Sequence, residues 1–189
     1  MNADLLVYQA KAFYNAYIAL DQLSRDDSDT LLLLLAPLVV NGAFSAELAL
    51  KAILAKNQIE YGKEHNLLIL FQMLPKSFQQ ELWAYLIEKA PEYAGSEKGL
   101  DELILLSNAF VDWRYAFEGK PVPAIESRFL AAFANAAVHT MFSYYNADLL
   151  PATKTEPNNE IEQRFHENRE KCKEINLKMI QKKTKEHQL

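Results

Sequence analysis

Glycine is scarce: the 189 residues hold five. An all-β chain needs glycine at its tight turns, and a phosphate-cradling loop needs it for close backbone approach. No G-x-G-x-x-G or G-x-x-x-x-G-K-[ST] pattern occurs. Cysteine is scarcer still. The single Cys172 excludes an internal disulfide framework and a multi-cysteine zinc site, and it fits a reducing compartment. Long uncharged apolar runs are missing too. The longest, Leu31 to Val40, is too short to span a bilayer and contains Pro37. The opening MNADLLVYQAK lacks the basic start and short apolar core of a signal peptide. These absences lead to the expectation of a cytoplasmic protein with no membrane association. There is no inward Glu-x-x-His pair for a di-iron bundle and no G-x-S-x-G nucleophile elbow. No metal or other cofactor is expected.

Positive charge is in short supply over most of the chain. Residues 1–155 carry 12 basic and 18 acidic side chains, while residues 156–189 carry 8 basic and 7 acidic. An acidic body is a poor general nucleic-acid surface, so any RNA contact must be local or helped by the tail.

What is present is helical periodicity in a chain half of whose residues are hydrophobic. Leu6, Ala10, Phe13, Tyr17 and Leu20 are spaced four, three, four, three, which predicts an amphipathic helix over residues 3–25. Asp26, Asp27, Ser28 and Asp29 end it and offer N-caps for a helix over 30–57, with a kink or break at Pro37. Further helices are expected over 66–74, 76–90, 99–118 (with Gly119 as the residue after its end) and 124–147. No segment reads convincingly as a strand. The fold class is therefore all-α, an up-and-down helical bundle over residues 1–150. Residues 151–189 form a polar linker and a long charged helix. On that helix Ile161, Phe165, Asn168, Cys172, Ile175 and Met179 make a narrow seam that suits either a partner chain or the bundle itself.

The helix over 30–57 is apolar nearly all round, yet Glu47 and Lys51 lie one turn apart on the same side as Val40, Ala43, Phe44 and Leu54. Burying either charge alone is costly, so they should pair with each other or with a charge from another helix; a salt bridge at the rim is the plainer alternative. Arg114 shares a face with Leu103, Ser107 and Phe110, where a guanidinium needs a carboxylate, from Glu47 or from Glu118 one turn on. Burial in such a pair is expected. His65, beside Asn66, heads the helix over 66–74 and serves as a cap or packs at the turn. On the helix over 124–147, Phe129, Phe133, Ala137 and Met141 form the apolar face, while Arg128, Asn135, His139 and Ser143 line another side. Arg holds phosphate bidentately and His moves protons near neutral pH, so this stripe suits a phosphate; it equally suits a solvated face or an internal hydrogen-bond network.

The run FSAELALKAILAKNQIEYGKEHNLLILFQMLP, followed by WRYAFEG at 113–119, resembles the HEPN domain family over roughly residues 3–147. The shared pattern is a helix with E-x-x-x-K, a Gly-Lys connection, and a His-Asn step into a Leu-rich helix. The resemblance implies an all-α bundle that dimerises, with RNA, a nucleotidyltransferase or an antitoxin as partner, in toxin–antitoxin or anti-phage systems. Catalytic members are metal-independent ribonucleases with Arg, four to six residues, then His. Here Arg128 is followed after six residues by Asn135, which supplies no base, and His139 comes one turn later. The expectation is a non-catalytic RNA- or partner-binding homodimer. The alternatives are a ribonuclease using Arg128 and His139 as catalytic residues, and a structural dimerisation module. Asn135, Ser143, Glu47, Lys51, His65, Arg114 and Glu118 are the candidate binding residues.

Overall fold

The computed structural model describes residues 3–25, 28–94, 97–115, 118 and 122–145. The proposed C-terminal helix with its seam, and Gly119, lie outside the described residues. The elements are α1 (Ala3–Ser24), α2 (Ser28–Lys56), α3 (Leu67–Met73), α4 (Lys76–Lys89), a 3-10 turn (Pro91–Tyr93), α5 (Glu97–Leu106), α6 (Ala109–Arg114) and α7 (Ser127–Tyr145). Among the described residues there is no strand, and the all-α reading stands.

α2 is the hub. It packs along α1 and against α7, α6 and α3. The physical cause is its composition: Ala43, Ala46, Ala49, Ala52 and Gly42 are small enough for neighbouring helices to approach, and Leu50, Ile53 and Leu54 fill the space between them. Each fully buried Leu or Ile contributes about 1.5–3 kcal/mol. The stretch Leu33–Lys56 is long and apolar enough to cross a membrane by length and composition, but more than half of its most apolar window is buried against the rest of the chain.

Pro37 does not break α2. Proline removes the amide that would bond the carbonyl four residues back. That carbonyl belongs to Leu33, which is 79% exposed, so water can take the place of the lost donor. The Asn41 side chain then donates to the Pro37 carbonyl at 2.7 Å.

α2 ends in a Schellman arrangement: the Ile59 amide donates to the Leu54 carbonyl at 2.9 Å and the Gln58 amide to the Ala55 carbonyl at 3.1 Å. Gln58, with φ of 58°, holds the left-handed position that glycine usually fills. Asn66, not His65, caps α3; its side-chain oxygen accepts from the Ile69 amide at 3.1 Å.

The single helix expected over 99–118 is two helices. The Leu67 amide at the start of α3 donates to the Ser107 carbonyl at 2.8 Å, and the Asn66 side chain donates to the Asn108 side chain at 3.0 Å. α3 thus draws Ser107 out of the helical ladder, and α6 restarts with the Val111 and Asp112 amides donating to the Asn108 carbonyl.

Two stability outcomes follow. A Cβ at Gly42 would sit 3.0 Å from Leu130 Cδ1 and from Tyr17 Cδ2. Gly42→Val therefore overpacks the meeting of α1, α2 and α7 and is expected to lower unfolding free energy by about 1–3 kcal/mol in a urea titration. Gln58→Gly removes left-handed strain at an exposed site and should raise it by roughly 0.5–1 kcal/mol in the same measurement.

Candidate functional site

The first cluster grows from α2. Glu47 is 1% exposed, and its Oε1 accepts from Lys51 Nζ at 2.7 Å and lies 2.9 Å from His65 Nδ1. Glu47 and Lys51 thus pair with each other in the interior, and His65 joins them from the loop before α3. Its role is this bond rather than capping. A carboxylate only accepts, so Nδ1 carries the hydrogen. Lys51 also lies 5.4 Å from the centre of the Tyr61 ring. Burial, and then the charge of Glu47, hold the Tyr61 phenol above its ordinary range, so it stays neutral. Glu47 Oε2 is buried and has no hydrogen-bond partner among the described residues.

Arg114 corrects the sequence reading. It is exposed and does not join Glu47, whose partners are Lys51 and His65. Its guanidinium lies 4.8 Å from the centre of the Phe110 ring and 4.7 Å from that of Tyr115. The break at Ser107 is the reason: Leu103, Ser107 and Phe110 are buried as the periodicity implies, but α6 ends at Arg114, at the surface. Phe110 stacks on Phe44 of α2, with ring centres 4.2 Å apart, and its ring centre is 6.2 Å from that of His65. Glu118 is exposed, and its amide donates to the Tyr115 carbonyl at 2.9 Å.

The second cluster is the polar side of α7. Phe129, Phe133, Ala137 and Met141 are buried as expected, which turns Arg128, His139 and Ser143 outward and leaves Asn135 half-buried. His139 lies flat on Tyr85 of α4, with ring centres 3.8 Å apart and planes 10° from parallel. Lys89 sits 5.0 Å from the Tyr85 ring centre. Beside this stack, a cleft of about 270 Å³ between α1, the end of α4 and α7 is lined by Tyr14, Asp21, Arg25, Lys89, Arg128 and Asn135. Burial, with Tyr85 adding to it, keeps the Tyr14 phenol protonated beyond its usual range. Each cation here has a carboxylate: Arg25 pairs with Asp21 at 2.6 Å, Lys89 with Glu88 at 2.7 Å, and Arg128 with Glu92. Arg128 and His139 share one straight element but are eleven residues apart, about 16 Å along its axis. The structure therefore does not bring them together within one chain.

Sequence reasoning missed Tyr85 and Glu92. The Tyr85–Lys89 spacing of one turn was a visible signal; the contact with His139 required knowing that α4 packs on α7. Among the described residues, no group of three or more His, Cys, Asp or Glu side chains is gathered to hold a metal ion.

Residues 38–128 match the family model described as the HEPN domain, so the chain resembles the HEPN family over that segment. The matched span takes in Glu47, Lys51, His65, Arg114 and Glu118, and ends at Arg128, before Asn135, His139 and Ser143. The searches of curated proteins and of solved structures returned no match.

Removing one member of the buried pair exposes its energetic weight. Glu47→Ala leaves Lys51 buried without a counter-charge and should destabilise the fold by about 3–5 kcal/mol in chemical denaturation. The double change Glu47→Leu with Lys51→Met should recover most of that loss, because an apolar pair of similar volume carries no desolvation cost.

Proposed function

We propose that the chain is a HEPN-like, non-catalytic RNA-binding module, working as a cytoplasmic homodimer in toxin–antitoxin or anti-phage defence, with an antitoxin or a nucleotidyltransferase as protein partner. The observation that carries this reading is the Tyr85–His139 stack, bordered by Lys89, which also lines the cleft that holds Arg25 and Arg128. Aromatic faces receive unstacked bases, and neighbouring cations track the phosphates of a single strand. The family match supports an RNA-related role at the level of the domain.

Two features argue against cleavage. Asn135 stands where the family motif calls for histidine, and an amide cannot abstract the 2′-hydroxyl proton. His139 is also too far from Arg128 along α7 for both to act on one phosphate. Modest affinity is expected, because Arg25, Lys89 and Arg128 must exchange a carboxylate for a phosphate.

The test is a fluorescence anisotropy titration with single-stranded RNA across a salt series. Binding should weaken steeply with salt. His139→Ala, which removes the exposed ring of the stack, should lower affinity by about 5- to 100-fold, the range of one lost base stack. Arg128→Ala should weaken binding and reduce the salt slope by about one. Incubation with RNA in EDTA supplies the opposite outcome: cleavage lost in both Arg128→Ala and His139→Ala would establish a ribonuclease assembled across two copies. Absence of both binding and cleavage would leave a dimerisation module, with sedimentation as the measurement of assembly.

A further inference from the structure

Tyr85 turns one side of α4 toward α7, and another side of the same helix borders a groove that takes no part in the stack with His139. The α4 bank of this groove is Lys76, Gln79, Gln80, Trp83, Ala84 and Ile87. These positions recur at three- and four-residue spacing, so they form one continuous stripe about 16 Å long. Phe71 of α3 with Leu100 and Leu103 of α5 makes the opposite bank, and the groove has a volume of about 610 Å³. Clefts that hold small molecules span about 300–1,000 Å³.

Two features keep the groove open. Position 99 is glycine; a Cβ there would lie 2.9 Å from Trp83 Cζ2, so the indole rests against the backbone of α5. Ala84 puts only a methyl group between Trp83 and Ile87. Apolar surface beside the groove is left uncovered: Leu100 is 48% exposed, and Ile104, one turn on, is 49% exposed. Clustered apolar surface of this kind marks a binding region.

The groove changes character along its length. Lys76, Gln79 and Gln80 make a polar end, and Trp83, Ala84 and Ile87 an apolar one. Among the described residues Lys76 donates to Gln79 Oε1 at 3.2 Å and joins no ion pair. Gln79 is itself tied down, its Nε2 donating to the Gln72 and Leu74 carbonyls. α4 starts behind Pro75 with no side-chain cap and no acidic residue in its first turn, so the positive end of its dipole adds to the charge of Lys76.

We propose that this groove binds a free monocarboxylate with a flexible apolar chain, of the medium-chain fatty-acid type. The carboxylate sits at Lys76, and the chain runs past Trp83 to Ile87. A docked helix would call for an apolar bank from end to end with polar groups along both rims. A wall that passes lengthwise from a cation to apolar side chains matches an amphiphile instead. One ammonium balances one negative charge, which favours a monoanion over a phosphate.

The chain has two tryptophans, so their indole N–H resonances read the groove and a control position together. Trp83 lines the groove, whereas Trp113 of α6 donates to the Pro123 carbonyl. Decanoate is titrated into the full chain below its micelle concentration at constant ionic strength, with acetate, decanol and decylammonium as comparisons. The expected result is a saturable shift of the Trp83 signal and none of Trp113. Decanoate should bind about two- to fivefold tighter than decanol, the range of one exposed ion pair. Acetate should give no saturation. Lys76→Glu should invert the preference, so that decylammonium binds tighter than decanoate. Ala84→Phe fills the groove from an exposed position and should abolish saturation by every chain-bearing compound in a protein that stays folded. Equal binding of decanoate and decanol, a preference unmoved by Lys76→Glu, or saturation that survives Ala84→Phe would overturn the proposal. A Trp83 response to a leucine-rich amphipathic peptide without one to decanoate would also overturn it and give the groove to a partner helix. RNA binding at Tyr85 and His139 is read by its own titration, so either result stands without the other.

Discussion

A carboxylate in the middle of an apolar helix constrains the rest of this structure. Glu47 is almost fully enclosed, and an ion in that setting is tolerated only with close partners. Lys51 arrives from the same helix one turn later, which the helical repeat guarantees. His65 arrives from eighteen residues away in sequence, which only the path of the loop can arrange. That path depends on Gln58 and Gly62, both at positive φ, which turn the chain back along α2. The same loop delivers Asn66 to cap α3, and the first amide of α3 then breaks the following helix at Ser107. One buried charge is thus linked through successive hydrogen bonds to the ending of α5 and the placement of α6.

The aromatic residues extend this frame outward. Phe13 meets Phe44 edge-on, Phe44 stacks on Phe110, and Arg114 closes the column at the surface. An arginine at the end of such a column is held in part by dispersion and by the ring quadrupole. The opposite regime holds at the cleft beside α7, where every cation carries its own carboxylate. Exposed pairs of that sort contribute little to stability, so they can exchange partners at little cost. The two surfaces thus hold their cations in different ways, one by ring contact and the other by ion pairs.

The acidic composition of the body bears on both. A chain with more carboxylates than cations over residues 1–155 repels polyanions at long range. Specific contact must then come from a few local groups, the stacked rings and the cations that touch phosphates directly. This favours small, geometrically defined sites over a broad basic patch.

By itself the sequence determined the helical class, the extents of α1, α2, α4 and α7 to within a few residues, and the buried faces of α1 and α7. These follow from local periodicity: apolar residues at three- and four-residue spacing bury one side whatever lies beyond. It also put Glu47 and Lys51 within reach of each other, because residues one turn apart are neighbours on any helix, and left open whether they would pair together, with another helix or at the rim; the structure shows them paired and buried. What it could not determine depends on contacts between segments distant in the chain. The break at Ser107 comes from an amide of α3, and with it Arg114 moves from the expected interior to the surface. The hold of Glu47 on His65 and the stack of His139 on Tyr85 join residues 18 and 54 positions apart in a chain whose local patterns give no hint of either. Local rules act through a few bonds of backbone geometry, whereas these pairings exist only after α2 has gathered the other helices around it.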